Sequence, residues 1–147
     1  MSLSDINILP NLQYYIKKTK DDWNYITPTD FYNNYYMNKQ SLNKDFVIID
    51  LRKKEVYDKY HIKGAINIFW LDILKTENLI KLDKLRNKTL FLICYVGHTS
   101  SQAMVLLKLL GFKVVSIKFG YGMSPVFGVP VAGWLQYNYP VIKTKYI

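Results

Sequence analysis

The sequence of 147 residues contains one cysteine, Cys94, and its neighbours make it the first candidate for chemistry. Cys94 ends the apolar run TLFLIC (89–94) and precedes YVGHTS, where Gly97 allows the backbone to curl so that successive N–H groups face inward. A helix that begins after such a loop adds N–H groups without internal partners and the positive end of its dipole. This setting stabilises a thiolate, the nucleophilic form of cysteine. The alternative is a small apolar residue that only fills the core, since free cysteine is among the most buried residue types.

The two histidines, His61 and His98, are the side chains that could join Cys94 in a metal site. A metal site built from them and Cys94 is not expected, because these three ligands have no fourth and the chain has no Cys-x-x-Cys pair. His98 lies in the loop after Cys94, where a protonated imidazole can assist an anion.

Short apolar runs alternate with segments of helical periodicity along the chain. The strands are predicted at DFVIID (45–50), GAINIF (64–69), TLFLIC (89–94) and KVVSIKF (113–119). The helices are predicted at RKKEVYDKY (52–60), ENLIKLDKLRN (77–87) and SQAMVLLKLLGF (101–112), after an opening helix capped by Thr27. Wholly apolar strands that alternate with helices indicate an α/β fold with a parallel sheet covered on both faces. Ligands of such sheets bind beyond the carboxyl ends of the strands, which is where Cys94 lies.

Length and composition suggest the cellular context. The chain is half apolar, which suffices for one domain with its own core, and a lone cysteine suits a reducing compartment such as the cytoplasm. The net charge of +9 is spread along the chain, so we expect a solvated surface and no nucleic-acid site. The N-terminal segment lacks the pattern of a secretory signal.

Residues 119–142 are uncharged and long enough to span a bilayer, but their prolines and glycines argue against a membrane helix.

Four motifs in the same order give the sequence a family resemblance. They are ITPTDF, VIIDLRKKEVYDKYHIKGAINI, CYVGHTS and GWLQYNYPV. The second contains Asp-x-Arg followed by His-Ile-x-Gly-Ala-x-Asn, the third begins Cys-x-x-Gly, and the last has a Trp followed six residues later by Pro. Over residues 25–142 the chain resembles a single-domain member of the rhodanese-like sulfurtransferase family.

The resemblance implies an α/β rhodanese-like domain over residues 25–147, with a central, mostly parallel sheet of about five strands and helices on both faces. Residues 1–24 are then an N-terminal extension that packs on the domain. The resemblance also implies that Asp50 and Arg52 form a structural ion pair, and that His61 pins the turn before the next strand, with Gly64 permitting it.

The function implied by the resemblance is transfer of a sulfane sulfur, with Cys94 as the catalytic residue that carries it as a persulfide. The implied substrate-binding residues are Tyr95, Val96, Gly97, His98, Thr99 and Ser100. The hydroxyls of Thr99 and Ser100 either contact the sulfur or cap the helix. The partners are a small anionic donor such as thiosulfate and a thiol or cyanide-like acceptor, with a protein sulfur acceptor as a further candidate. Neither a cofactor nor a metal is needed, because the sulfur is itself the carried group.

Two departures from the family pattern keep alternatives open. Members specialised for thiosulfate often carry basic residues directly after the cysteine, where this chain has Tyr95 and Val96. Residues 120–134 form a longer link than usual, and we expect either a cover over the site, contributed by Tyr121, Met123 or Phe127, or a surface excursion.

Two other functions compete with sulfur transfer. A phosphatase or arsenate reductase of the same fold uses an arginine six residues after the cysteine to grip a dianion, and here that residue is Ser100. A non-catalytic or sulfur-relay module is the remaining alternative, which an intact Cys94 disfavours.

Overall fold

A parallel sheet lies at the centre of the protein. The computed structural model describes residues 8–19, 24–38, 45–123 and 131–144. Within these residues the sheet contains β1 (Tyr25–Ile26), β2 (Phe46–Asp50), β4 (Ile66–Asn67), β5 (Thr89–Ile93) and β6 (Val114–Ile117), while β3 (Tyr60–His61) pairs separately and antiparallel with β7 (Ile142–Lys143). The order across the sheet is β1-β6-β5-β2-β4, and all four neighbouring pairs are parallel. The predicted α/β class and mostly parallel sheet are confirmed.

The helices are shorter than predicted or begin at different residues. They are α1 (Leu9–Thr19), α2 (Pro28–Phe31) continuing as a π-helix (Tyr32–Tyr36), α3 (Lys54–Lys59), a 3-10 turn (Trp70–Asp72), α4 (Thr76–Asp83) and α5 (His98–Leu109). Thr27 caps α2 as expected, because its hydroxyl accepts a hydrogen bond of 3.1 Å from the Asp30 N–H. The prediction that α5 begins at Ser101 is wrong: the helix begins at His98 and therefore includes half of the polar loop. None of the helices in the described ranges is long and apolar enough to cross a membrane.

The sheet separates two hydrophobic clusters, because successive side chains of a strand point to opposite faces. On β5, Leu90 and Leu92 pack with residues of α4 and α5 in one cluster. Phe91 and Ile93 pack in the other cluster, which includes Phe31 of α2 and the buried Trp134. Burial on both faces is the reason that β5 is apolar from Leu90 to Ile93.

The sheet order brings the carboxyl ends of β2, β5 and β6 together at one edge. In the register, Leu92 lies between Ile49 of β2 and Ser116 of β6. Cys94 follows β5 directly, so it lies at the middle of this edge. Ligand sites of parallel sheets are expected at this edge.

The predicted ion pair of Asp50 and Arg52 is fully buried beside this edge. Arg52 donates from Nε and Nη2 to the two carboxylate oxygens, at 3.0 and 2.9 Å. Its guanidinium lies between two aromatic rings, 4.5 Å from the centroid of Tyr60 and 3.7 Å from that of Tyr121. The Tyr121 hydroxyl donates to Asp50 at 2.8 Å and accepts from the Ile62 N–H at 3.1 Å. The pair therefore ties β2, β3 and the segment after β6 into one buried network.

This network corrects the expectation that Tyr121 contributes a cover over Cys94. The Tyr121 side chain is completely buried, because its ring covers Arg52 and its hydroxyl is held by Asp50. Met123 is exposed, and Phe127 lies outside the described residues. The expected role of His61 in a turn agrees with its contacts. Its Nδ1 lies 2.8 Å from the Tyr57 carbonyl oxygen, and its ring stacks on that of Tyr57 with 3.9 Å between the ring centroids.

Candidate active site

The Cys94 sulfur is surrounded by hydrogen-bond donors rather than by apolar atoms alone. The Gly97 N–H donates to Sγ at 3.1 Å, and the Ser100 N–H donates to it at 3.3 Å. Gly97 directly precedes α5, and Ser100 lies in its first turn. The positive end of the helix dipole therefore faces the sulfur. Cys94 is 1% exposed. A thiol that only filled the core would not require amide donors, so the geometry favours a site for an anionic sulfur.

A pair of buried hydroxyls extends this arrangement into the next strand. Ser100 Oγ lies 3.3 Å from Cys94 Sγ and 2.8 Å from the Oγ of Ser116 on β6. Neither serine is exposed to solvent. Sequence reasoning missed Ser116, although a polar residue within the apolar run KVVSIKF was a signal that a partner lies nearby. The two serines therefore form a chain of hydroxyls that ends at the sulfur.

Gly97 makes the curl of the loop possible. It precedes α5 with φ of +98°, a conformation that residues with a side chain rarely adopt. A Cβ on Gly97 would also lie 3.1 Å from the backbone nitrogen of Phe119. The N–H of Gly97 reaches Sγ only while this conformation is kept. Of the two roles expected for the hydroxyls of Thr99 and Ser100, contact with the sulfur is the one seen for Ser100, whose Oγ lies 3.3 Å from Cys94 Sγ. Neither hydroxyl caps the helix, because Gly97 occupies the N-cap position and no side-chain bond caps it.

The segment after β6 supports the loop from the other side. The Tyr121 N–H donates to the Cys94 carbonyl oxygen at 3.0 Å, and the Gly122 N–H donates to that of Tyr95 at 2.9 Å. At Gly120 a Cβ would lie 2.1 Å from the Cys94 oxygen, so only glycine permits this approach. The backbone of Cys94 is thus fixed on both sides, by β5 and by this segment.

The other predicted site residues lie around the loop at different depths. Tyr95, Val96 and Thr99 are half-buried, and His98 is exposed at the first position of α5. Burial raises the pKa of the Tyr95 hydroxyl. Among the residues predicted to bind substrate, Gly97 and Ser100 are the ones whose amides bond to the sulfur. In the described part of the chain, no group of three or more His, Cys, Asp or Glu side chains is arranged to hold a metal ion.

A comparison with known families matches residues 33–122 to the rhodanese-like domain. This match covers more than half of the chain and includes Cys94, its loop and the buried Asp50–Arg52 pair. The protein belongs to the rhodanese-like domain family. Its fold is also similar to that of a rhodanese-related protein from Thermoplasma volcanium, with a TM-score of 0.58, 23% identity, and coverage of 80% of this chain and 95% of that one.

Curated relatives of this rhodanese-like domain include named sulfurtransferases. The adenylyltransferase and sulfurtransferase UBA4 of Meyerozyma guilliermondii is 35% identical over 53% of this chain and 20% of that protein. The uncharacterized protein YibN of Escherichia coli is 31% identical over 71% of this chain and 66% of its own length. The matched part of the chain thus spans less than two thirds of the length of these relatives.

Proposed function

We propose that this rhodanese-like domain is a sulfurtransferase that carries a sulfane sulfur as a persulfide on Cys94. The observation that carries the proposal is the position of Sγ, which accepts hydrogen bonds from the Gly97 and Ser100 amides at 3.1 and 3.3 Å. Donors fixed in this way stabilise a thiolate and the charge that develops on sulfur during transfer, without reorganising. Family membership and the sulfurtransferase activity in the name of UBA4 support the same assignment.

The first proposed step loads the sulfur. The Cys94 thiolate attacks the outer sulfur of thiosulfate, the bond between the two donor sulfurs breaks, and sulfite leaves with the bonding electron pair. The product is a Cys94 persulfide anion, so the total charge is unchanged. A persulfide adds one atom beyond Sγ, and we propose that the loop residues Tyr95, Val96, Gly97, His98, Thr99 and Ser100 bind it.

The second proposed step unloads the sulfur to an acceptor. Cyanide or a thiolate attacks the outer persulfide sulfur, the S–S bond breaks, and the electron pair returns to Cys94 as a thiolate. The reaction needs neither a cofactor nor a metal, because no electron leaves the reacting sulfur atoms. The proposed acceptor is a thiol or a cyanide-like nucleophile, with a protein sulfur acceptor as a further candidate.

The buried serines can hydrogen-bond to Cys94 whether it is a thiol or a thiolate. A thiol donates its hydrogen toward Ser100 Oγ, whereas a thiolate accepts a hydrogen bond from the Ser100 hydroxyl. Ser116 lies 2.8 Å behind Ser100 and can donate to it when Ser100 turns its own hydrogen toward the sulfur. We therefore assign Ser116 as a positioning residue that acts through Ser100.

We also propose that residues 25–147 form the rhodanese-like domain and that residues 1–24 are an extension that packs on it. In the described part of the chain, α1 and the end of α5 line a common cavity of about 660 Å³. A free thiol as the lone cysteine of the sequence suits the cytoplasm.

The test is intact-mass measurement after incubation with thiosulfate or polysulfide, followed by cyanide. The wild-type protein should gain one sulfur atom and lose it again, with thiocyanate as the product. Cys94→Ser is a matched blank, because this variant contains no cysteine at all. Sulfur uptake without turnover would indicate a relay module that passes the sulfur to a protein. No uptake from any donor, or equal uptake by a folded Cys94→Ser variant, would contradict the proposal.

A further inference from the structure

The turn after β6 lies directly against the Cys94 loop. A Cβ on Gly97 would lie 3.1 Å from the Phe119 nitrogen and 4.0 Å from the carbonyl carbon of Lys118. Extending the register of β5 and β6, in which Leu92 faces Ser116, by two residues places Lys118 beside Cys94. A lysine that is distant in sequence from the loop is therefore adjacent to it in the fold.

The backbone of this turn is held in an unusual conformation. Phe119 has φ of +60°, although it is not glycine. The turn is fixed on one side by a hydrogen bond of 2.8 Å from the Lys118 N–H to the Ile26 oxygen and on the other by one of 3.2 Å from the Gly120 N–H to the Ile117 oxygen. Non-glycine residues that keep a left-handed conformation concentrate at functional sites, since the surrounding structure must hold them there.

The side chains of the turn face solvent and carry a positive charge. Lys118 is exposed, and its Nζ lies 5.9 Å from the centroid of the Phe119 ring, which is 42% exposed. Within the described residues, no carboxylate lies close enough to form an ion pair with Lys118. The loop from Cys94 to Ser100 contains neither lysine nor arginine. Lys118, whose backbone lies against the loop, therefore carries a cation within reach of a loop that has none of its own.

We propose that Lys118 attracts the anionic sulfur donor to the mouth of the Cys94 loop, with the Phe119 ring supporting its ammonium group. This inference rests on the proposed sulfur transfer and adds to it the selection of anionic over neutral reagents. A cation near the entrance raises the local concentration of an anion and speeds its arrival. The attraction weakens as salt is added, because the screening length of exposed charges falls from about 10 Å at 0.1 M salt to about 3 Å at 1 M.

Alkylation of Cys94 tests this charge effect independently of sulfur transfer. Iodoacetate is an anion and iodoacetamide is neutral; each transfers its carbon to the thiolate sulfur and releases iodide. The ratio of the two rates cancels any change in the ionisation or accessibility of the sulfur. Lys118→Glu is compared with Lys113→Glu, which makes the same charge change at the opposite end of β6.

At low salt, the ratio of the iodoacetate rate to the iodoacetamide rate should fall about threefold in Lys118→Ala and about tenfold in Lys118→Glu, because each exposed charge contributes a modest interaction. Lys113→Glu should stay within about twofold of the wild type. Phe119→Leu should lower the rate ratio less than Lys118→Ala does. This variant keeps the Lys118 charge and removes only the contact of its ammonium group with the aromatic ring. In about 1 M salt the differences should disappear, because the screening length shrinks to about 3 Å.

Loading from thiosulfate should follow the same order among the variants, with a larger fall because thiosulfate is a dianion. Equal rate ratios for Lys118→Glu and Lys113→Glu at low salt would overturn the role of Lys118. If the ratios change as expected but the wild type takes no sulfur from any donor, the proposed function fails and the electrostatic role of Lys118 stands.

Discussion

Gly97→Ala is expected to impair sulfur loading far more than its effect on folding explains. Gly97 holds φ of +98°, and its N–H donates to Cys94 Sγ at 3.1 Å. A methyl group opposes this conformation and would lie 3.1 Å from the Phe119 nitrogen, a tight contact with backbone that has little freedom to move. The variant must either keep the loop under strain or turn the N–H away from the sulfur.

Both costs can be estimated from the geometry. The left-handed conformation costs an alanine about 1–2 kcal/mol, which lowers the urea midpoint by roughly 0.5–1 M for a domain of this size. A hydrogen bond to a charged group contributes about 1.5–3 kcal/mol, so its loss slows persulfide formation roughly 10- to 100-fold.

Gly111→Ala is the matched control for the cost in stability. Gly111 lies beyond the other end of α5 with φ of +88°, and its Cβ would lie 3.3 Å from Nη1 of Arg86, a flexible side chain. Both variants should lose similar stability in urea, but Gly111→Ala should load sulfur at nearly the wild-type rate under native conditions. Wild-type loading by Gly97→Ala would refute the role of its N–H. Equal loss in both variants would show that destabilisation alone slows the reaction.

Two further variants test the buried groups around the site. Tyr121→Phe should lower the free energy of unfolding by about 1–3 kcal/mol, since it leaves the Ile62 N–H and one bond to Asp50 unmatched. Burial, and then the Asp50 carboxylate, raise the pKa of Tyr121 well above 10, so the wild type should lose stability as pH rises above 10, where tyrosine ionises in the unfolded chain only. The difference in urea midpoint between the wild type and Tyr121→Phe should therefore decrease between about pH 9 and 11. A difference that stays constant over this range would contradict the prediction. Ser116→Ala should slow sulfur loading about threefold to tenfold, and it should add little to Ser100→Ala because Ser116 acts through Ser100; full additivity in the double variant would reject this order.

The central strands were predictable because a strand that is buried on both faces needs a run of consecutive apolar residues. β2 and β5 contain the apolar runs FVII and LFLI, and their predicted bounds differ from the structure by one residue at one end. The strand predicted over residues 64–69 is reduced to Ile66–Asn67, where β4 pairs with the end of β2. β1, β3 and β7 have two residues each and were not predicted. They are strands because they pair with a neighbouring strand, and two residues are too few for their composition to indicate this.

The candidate site was predictable where it is local in sequence. The motif CYVGHTS indicated Cys94, the curl at Gly97 and the amides that follow it. The start of α5 was misplaced, because the polar residues His98 to Ser100 have the composition of a loop, although the helix begins at His98 directly after its N-cap Gly97. Ser116 and Lys118 were missed for a different reason. They lie close to Cys94 because β6 pairs with β5. The order of strands in a sheet cannot be inferred from any short segment of the sequence.

The residue six positions after Cys94 separates sulfur from phosphate chemistry at this loop. A cysteine phosphatase uses an arginine there, because a planar guanidinium grips two oxygens of a dianion at once. Here the residue is Ser100, fully buried, with its hydroxyl 3.3 Å from the sulfur and 2.8 Å from Ser116. Lys118 does not replace the arginine, since an ammonium on a flexible chain attracts an anion without orienting its oxygens. The groups around Cys94 thus suit a single sulfur atom held by N–H and hydroxyl donors, and we expect negligible turnover of aryl phosphates under conditions that load sulfur.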